Sequence, residues 1–262
     1  MKRTLWPILL AALAAAPSLR AQDAPVCTDR PTKANAPCVV PQGRWQLEAD
    51  VGSVTRDVRG GLSTQTVYPL NPTLKYGLGG ASDIEVSWAP RVRVTTRGDG
   101  ARTQRTGHGD LLLRVKTRLH VGDAVSVAVI PFVKAPTAST GFGNDRWEGG
   151  VALPVSVNLP RGFALTFGPQ LDVLADADGR GHHAALSNLV NLSHPLGERL
   201  TLAVEYWRQD NADPQGTVRQ ASADVALIVA ATHNLQLDVG ANLGLNDRTP
   251  DRQFYAGIAY RW

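Results

Sequence analysis

The sequence predicts an all-β fold, a transmembrane antiparallel up-and-down β-barrel of about 12 strands that follows a cleaved signal peptide. Two observations indicate this fold. About a dozen segments alternate apolar and polar residues, and the connections between them alternate between short and long. A third observation restricts the alternatives, because no stretch after residue 21 approaches the ~20 unbroken apolar residues of a transmembrane helix. Only helices and closed barrels satisfy all backbone polar groups in lipid, so this chain could span a membrane only as a barrel.

The alternation begins at residue 44 and continues to the carboxy terminus. In the first segment, residues 44–54, Trp45 and Leu47 alternate with Gln46 and Glu48, which puts apolar and charged side chains on opposite faces of one strand. The other segments with this pattern are residues 70–78, 82–94, 108–119, 124–134, 147–159, 162–174, 184–193, 200–207, 220–230, 235–246 and 253–262.

The connections alternate in length as in an outer-membrane barrel, which has short periplasmic turns and long outer loops. The short connections are residues 79–81, 121–123, 160–161, 194–199 and 231–234. The longer, polar connections are residues 55–67, 95–107, 135–146, 175–183, 208–219 and 247–252. An even number of strands would place both chain ends in the periplasm.

The amino terminus predicts export. Lys2 and Arg3 precede an apolar run, residues 5–19, and a small-residue cleavage site ends at Ala21, so residues 1–21 are expected to be a signal peptide. Residues 22–43 contain four prolines and no periodicity, which predicts a periplasmic leader ahead of a barrel formed by residues 44–262.

The leader contains both cysteines of the chain, Cys27 and Cys38. An exported protein meets an oxidising compartment, so we expect a disulfide between them.

The net charge argues against nucleic-acid binding. The formal charge of +4 includes Lys2, Arg3 and Arg20, so the chain without its signal has 24 basic and 23 acidic residues. A nucleic-acid-binding protein needs excess positive charge to neutralise phosphates. We therefore expect lipid and a small-molecule solute as partners, and no nucleic acid.

Charged residues recur on the polar face of the strands, which lines the lumen of a barrel. The residues expected to line the pore are Lys75, Glu85, Arg91, Arg93, Asp110, Arg114, Lys116 and Arg118. Antiparallel neighbours would pair charges across strands: Asp83 with Arg118, Glu85 with Lys116 or Lys75, and Asp110 with Arg91 or Arg93. The basic side chains would favour anions in a pore. If fully paired, the same charges would instead form a salt-bridged plug that conducts nothing.

Five prolines oppose the barrel prediction, since proline cannot donate a ladder hydrogen bond and a closed barrel has no edge strand. They are Pro72, Pro90, Pro131, Pro154 and Pro169. We expect bulges or local breaks near the last three, or shorter strands there. A soluble β-sandwich, the alternative fold, would accommodate the prolines but would not explain the alternating loop lengths.

No catalytic constellation is evident. His108 lies two residues before Asp110, but no motif ties a serine or cysteine nucleophile to them. His182 and His183 could bind a metal weakly, and a solvated loop is the interpretation that we favour. We therefore expect no catalytic residue, no metal site and no cofactor.

The carboxy terminus resembles the signal that the insertion machinery reads in bacterial outer-membrane β-barrels. Phe254, Ile258, Tyr260 and the terminal Trp262 share one face of the last segment. The resemblance implies an outer-membrane location and recognition by that machinery.

Three short motifs also resemble the outer-membrane transporter family named for the MetA pathway of phenol degradation. They span residues 107–113 (GHGDLLL), 130–137 (IPFVKAPT) and 141–145 (GFGND), and Ala138 departs from the glycine frequent after the Pro-Thr pair. The resemblance implies an outer-membrane channel for passive uptake of small solutes, aromatic or hydrophobic compounds among them. We expect a monomer. The alternatives are a non-conducting barrel with a structural or surface-binding role, closed by the leader or by residues 135–146, and an outer-membrane enzyme.

Overall fold

Twelve antiparallel strands close into a barrel in the computed structural model, which describes residues 25–262. The first strand pairs with both the second and the last, so the sheet has no free edge. The predicted signal peptide, residues 1–21, lies outside the described residues. Within residues 25–262, no helix is long and apolar enough to cross a membrane.

The twelve strands consist of sixteen segments. The segments are β1 (Trp45–Arg59), β2 (Leu62–Gly79), β3 (Ser82–Trp88), β4 (Arg91–Gly98), β5 (Ala101–Gly107), β6 (Leu111–Val121), β7 (Val125–Ala135), β8 (Glu148–Ala152), β9 (Val155–Asn158), β10 (Ala164–Phe167), β11 (Gln170–Ala175), β12 (His182–Pro195), β13 (Leu200–Asn211), β14 (Val218–Thr232), β15 (Leu235–Gly244) and β16 (Arg252–Arg261). A 3-10 turn, Pro160–Gly162, connects β9 to β10. The pairs β3 with β4, β5 with β6, β8 with β9, and β10 with β11 each form one interrupted strand of the barrel.

Three of these interruptions coincide with prolines. Breaks fall at Pro90, Pro154 and Pro169, which confirms the predicted breaks at the last two. The local break predicted near Pro131 is confirmed, and it lies in the ladder and not in the strand itself. β7 runs through Pro131, but its ladder to β6 has no pair between Arg114↔Phe132 and Thr117↔Val129. The barrel thus tolerates proline by interrupting a ladder while the neighbouring strand stays continuous.

Two of the predicted long outer loops are wrong. Residues 55–67 and 95–107 continue the strands as two hairpins, β1–β2 and β4–β5, each closed by a two-residue turn. Gly60 and Gly61 form the first turn. In the second, Asp99 and Gly100 both have positive φ, 51° and 75°, which is the Asp-Gly signature of a hairpin turn.

The distribution of side chains is inverted relative to a soluble protein. Lys116 and Glu85 in the wall of the lumen are 1% and 0% exposed, whereas Leu113 and Val239 on the outer surface are 38% and 51% exposed. Aromatic rings lie near the strand ends, where Trp45 packs on Tyr76 at 4.6 Å. This is the arrangement of a barrel whose outer face contacts lipid.

The carboxy-terminal strand closes the barrel in the predicted phase. β16 pairs with β1 and β15 along its length. Phe254 and Trp262 point outward and are 55% and 47% exposed, whereas Ala259 between them is fully buried. The alternation that the sequence predicts for residues 253–262 is therefore confirmed.

We expect Gly150→Ala to destabilise the barrel. A Cβ at residue 150 would lie 2.3 Å from the carbonyl oxygen of Leu171 and 2.7 Å from the Phe132 ring. Such overpacking costs about 1–3 kcal/mol. The measurement is thermal unfolding of the refolded protein, followed by loss of its compact gel band. Gly52→Ala is the matched control, because nothing lies within 4 Å of a Cβ there; equal melting of the two variants would contradict the packing described.

Candidate functional site

The lumen is occupied by the leader. Residues 28–40 lie inside the barrel, where they bond to wall residues of eight segments, β1, β2, β3, β6, β12, β13, β14 and β15. The sequence analysis expected residues 22–43 in the periplasm. The structure instead seats the described part of the leader in the lumen, because its charges complement those of the wall.

A disulfide joins Cys27 to Cys38, as predicted. It closes the segment that carries Asp29, Arg30 and Lys33, the three charged residues between positions 25 and 43 that contact the wall. Within this loop the N–H of Ala36 donates to the Asp29 carboxylate at 2.9 Å. The leader therefore enters the lumen as a compact loop.

Asp29 lies among three cations of the wall. Its carboxylate is 2.5 Å from Lys75 Nζ, 2.5 Å from Lys116 Nζ and 3.8 Å from Arg114 Nη2. Arg114 also donates a short hydrogen bond to the side-chain oxygen of Asn35 in the leader. We call Lys75, Arg114 and Lys116 the basic cluster.

Two wall carboxylates complete the neutralisation of this cluster. Glu85 lies 3.2 to 3.5 Å from all three cations, near enough to pair by charge although not aligned as hydrogen bonds. Glu48 lies 2.7 Å from Lys75 and accepts the backbone N–H of Asp29 at 3.1 Å.

The basic cluster determines the ionisation of Asp29. Burial raises the pKa of this carboxyl, and attraction to Lys116, Lys75 and Arg114 outweighs that effect, so the pKa lies well below its usual range. Asp29 therefore remains negatively charged at neutral and mildly acidic pH.

Arg30 contacts the opposite, acidic side of the lumen. Its guanidinium donates to both oxygens of Asp238, at 2.8 and 3.2 Å, and to Asp50 at 2.7 Å. The bidentate pair to Asp238 fixes the plane of the guanidinium. Gly257 lies directly beneath it, where a Cβ would come within 1.8 Å of Arg30 Nη2.

Lys33 holds the far end of the loop. Its ammonium forms an ion pair with Asp224 and a 3.0 Å hydrogen bond with Ser222. The backbone N–H groups of Lys33 and Ala34 both donate to Glu205 at 3.0 Å. The ammonium also lies 5.3 Å above the Trp207 ring, within cation–π range.

The seated leader divides the lumen. Cavities of about 200 and 230 Å³ lie on either side of Lys33 and Trp207. A further cavity of about 310 Å³ is lined by the disulfide and by Arg118 and Arg261.

Half of the residues predicted to line the pore come together. Lys75, Glu85, Arg114 and Lys116 form one cluster. The pairing register differs from the prediction by two residues, because Asp83 lies opposite Lys116 and Glu85 opposite Arg114. A two-residue shift keeps each side chain on its predicted face, which is why the charges still meet.

The other predicted residues lie elsewhere. Arg118 borders the cavity beside the disulfide. Arg91 is exposed and Arg93 half-buried, and within residues 25–262 neither forms an ion pair. The predicted contact of Asp110 with Arg91 or Arg93 is therefore wrong.

Asp110 instead anchors an outer loop. It pairs with Lys134 at 3.0 Å and accepts the N–H groups of Thr137 and Ala138. Burial raises its pKa, and these donors outweigh that effect and lower it. It thus fixes the start of residues 136–147, the connection after β7.

Sequence reasoning missed the leader residues Asp29, Arg30 and Lys33. Their only signal was three charges inside a loop closed by two cysteines. It also missed the lumen-facing Trp207, although alternation with the outward Tyr206 could have revealed it.

We expect Asp29→Asn to release the leader. Without the carboxylate charge, the cations of the basic cluster repel one another and no longer hold the leader. The Lys33–Ala34 peptide bond then becomes accessible to trypsin. The rate of cleavage follows the population of molecules whose leader is released. A loss of about 1.4 kcal/mol or more in the free energy that holds the leader should therefore raise the cleavage rate at least about tenfold. Mass spectrometry of timed digests measures the rate. Asp99→Asn, the same change in an exposed turn, should match the wild type; equal rates in all three proteins would refute a role for Asp29 in seating the leader.

Known proteins share both the sequence pattern and the barrel. Residues 28–262 match the family model described as "Putative MetA-pathway of phenol degradation". An outer membrane channel from Pseudomonas putida F1 superimposes with a TM-score of 0.69 at 15% identity, over 86% of this chain and 97% of that chain. The NanC porin superimposes with a TM-score of 0.53 at 9% identity, over 82% and 98%. No curated protein sequence matches this chain. The fold is that of bacterial outer-membrane barrels.

Proposed function

Since the chain belongs to the outer-membrane family described as "Putative MetA-pathway of phenol degradation", we propose that it is a channel for passive uptake of small solutes whose lumen the leader closes. The observation that carries this proposal is that the lumen is occupied by the leader and not by side chains of the wall. The lumen is filled by a separate segment tied to the wall by ion pairs and hydrogen bonds.

The size of the barrel supports transport. An eight-stranded barrel is just filled by its own side chains, whereas a barrel of about 12 strands encloses more space. Here that space holds the leader and several cavities. Displacement of the leader would leave a continuous polar lumen.

Small aromatic or hydrophobic solutes are the class that we propose. The cavity of about 200 Å³ combines Leu189, Pro154 and the Trp207 ring with amide and hydroxyl groups. Apolar walls with a few polar groups suit uncharged organic molecules. Residues that orient such a solute would lie in this half of the lumen.

The sequence analysis expected the basic residues to favour anions in the pore. With the leader seated, the structure gives no support to this preference. Asp29 and Glu85 neutralise the basic cluster. On the other side, Arg30 and Lys33 face four carboxylates, those of Asp50, Glu205, Asp224 and Asp238. We therefore propose that the closed protein does not select anions.

The second candidate is a non-conducting barrel with a structural or surface-binding role. The burial of Asp29 within the basic cluster favours it, since removing one partner from such a cluster is costly. In this case the leader would be a permanent part of the core.

The remaining roles complete the proposal. We propose a monomer that is inserted through recognition of the face carrying Phe254, Ile258, Tyr260 and Trp262. We propose no catalytic role. His108 was the histidine considered for one, and its Nδ1 lies 3.3 Å from the backbone carbonyl oxygen of Gly109.

Planar-bilayer conductance tests the channel. The wild type should pass little current, and Arg30→Ala/Lys33→Ala should conduct severalfold more, because the acidic wall no longer holds the loop. Arg56→Ala/Arg102→Ala removes two exposed basic residues from the outer hairpins and should behave as the wild type. Vesicles containing the double variant should also take up a small aromatic solute faster.

Correct folding is verified beforehand by heat-modifiable migration in gels. Absence of current and of solute uptake in every folded variant would reject the channel and favour the structural role.

A further inference from the structure

A separate cluster of metal-ligating side chains lies at the outer ends of β11, β12 and β13. Asp176 follows β11, His183 lies in β12 and Asp213 follows β13. One ligand atom from each lies within 4.8 Å of the other two. We infer that these three residues bind a divalent transition-metal ion, for which zinc is the best match.

The imidazole of His183 lies between two carboxylates and a side-chain amide. The His183 side chain is only 6% exposed, and its Nε2 lies 2.6 Å from the side-chain oxygen of Asn211. The oxygen acceptor at Nε2 suits a ring proton there. In the neutral tautomer with that proton, Nδ1 directs its lone pair at Asp176 Oδ1, 2.8 Å away, and Asp213 Oδ2, 3.6 Å away.

In that tautomer three electron-rich atoms face one another. A metal ion between them would replace the proton that Nδ1 otherwise shares with Asp176. A metal ion would be coordinated by all three atoms, with small adjustments of the side chains. Asn211 would then be the outer partner that fixes the tautomer and orientation of the ligating imidazole.

The ligands are held in place by their surroundings. The Asp213 carboxylate accepts the backbone N–H groups of Gln215 and Ala177, at 2.7 and 2.8 Å. Gly181 makes room for Asp176, since a Cβ there would lie 2.5 Å from Asp176 Oδ2.

The donor set favours zinc over calcium or magnesium. Zinc accepts imidazole nitrogen and carboxylate oxygen in a four-coordinate site, in which three protein ligands leave one position for water. Calcium and magnesium prefer six or more ligands that are all oxygen. A cavity of about 530 Å³, lined by His183, Asn211 and Asp213, gives the ion and its water access.

The ion would join two outer loops. Asp176 and Asp213 lie in separate loops, residues 176–181 and 212–217, which are otherwise linked by the hydrogen bond from Ala177 to Asp213. Bound metal would thereby fix part of the outer mouth of the barrel. This role is independent of whether the lumen conducts.

Isothermal titration of the refolded full mature chain with zinc chloride tests the inference. The wild type should bind one equivalent of zinc, with calcium and magnesium giving no comparable signal. Asp176→Asn and Asp213→Asn keep the side-chain shape and should each weaken zinc binding at least about tenfold, since both change direct ligands. His182→Ala removes an exposed neighbouring histidine, whose Nε2 faces the Trp147 carbonyl, and should leave zinc binding unchanged.

Each other outcome overturns the site. No saturable zinc binding by the folded wild type would do so. Equal affinity in the wild type and both asparagine variants, or a loss confined to His182→Ala, would indicate adventitious binding by surface histidines. Heat-modifiable gel migration of every variant confirms that a lost signal does not reflect misfolding.

Discussion

Charge neutralisation inside the lumen is the constraint on which the rest of the structure depends. A barrel wall that carries Lys75, Lys116 and Glu85 at full burial is stable only if these charges are paired or hydrated. The leader supplies the missing partners, because Asp29 enters the basic cluster and Arg30 reaches Asp50 and Asp238 on the opposite wall. The order of charges in the leader thus determines which way the loop faces within the barrel.

The opening that we propose requires contacts of the leader that water can replace. The leader is held mainly by polar contacts, and among its described residues only Pro37 and Val40 are buried. Water entering the lumen could replace such contacts, whereas it could not replace a packed apolar core. The disulfide keeps the loop compact in either state.

Much of the barrel was predictable, because the alternation of side chains is a direct consequence of strand geometry. Residues 235–246 and 253–262 alternate so regularly that their outward and inward faces were predicted correctly. The breaks at Pro154 and Pro169 followed from the missing N–H of proline. Cys27 and Cys38 were paired from their number and from the compartment alone.

The remaining features depend on contacts that no local pattern records. Insertion of the leader depends on the meeting of Asp29 with residues 46 to 87 positions away. The two-residue shift between β3 and β6 preserves every side-chain face, so periodicity could not detect it. His183 was recognised only as one of two adjacent histidines, since the carboxylates beside it come from distant parts of the chain.

The most direct test is whether the leader occupies the lumen of the folded barrel. Thr32 of the leader accepts a hydrogen bond from Asn191 of β12 at 3.1 Å, so cysteines at both positions should be close enough to join. In Thr32→Cys/Asn191→Cys, we predict spontaneous cross-linking, seen by mass spectrometry as a peptide joining residues 32 and 191 while Cys27 and Cys38 stay paired. A folded, heat-modifiable barrel in which both new thiols remain free to react with a maleimide would contradict a leader seated in the lumen.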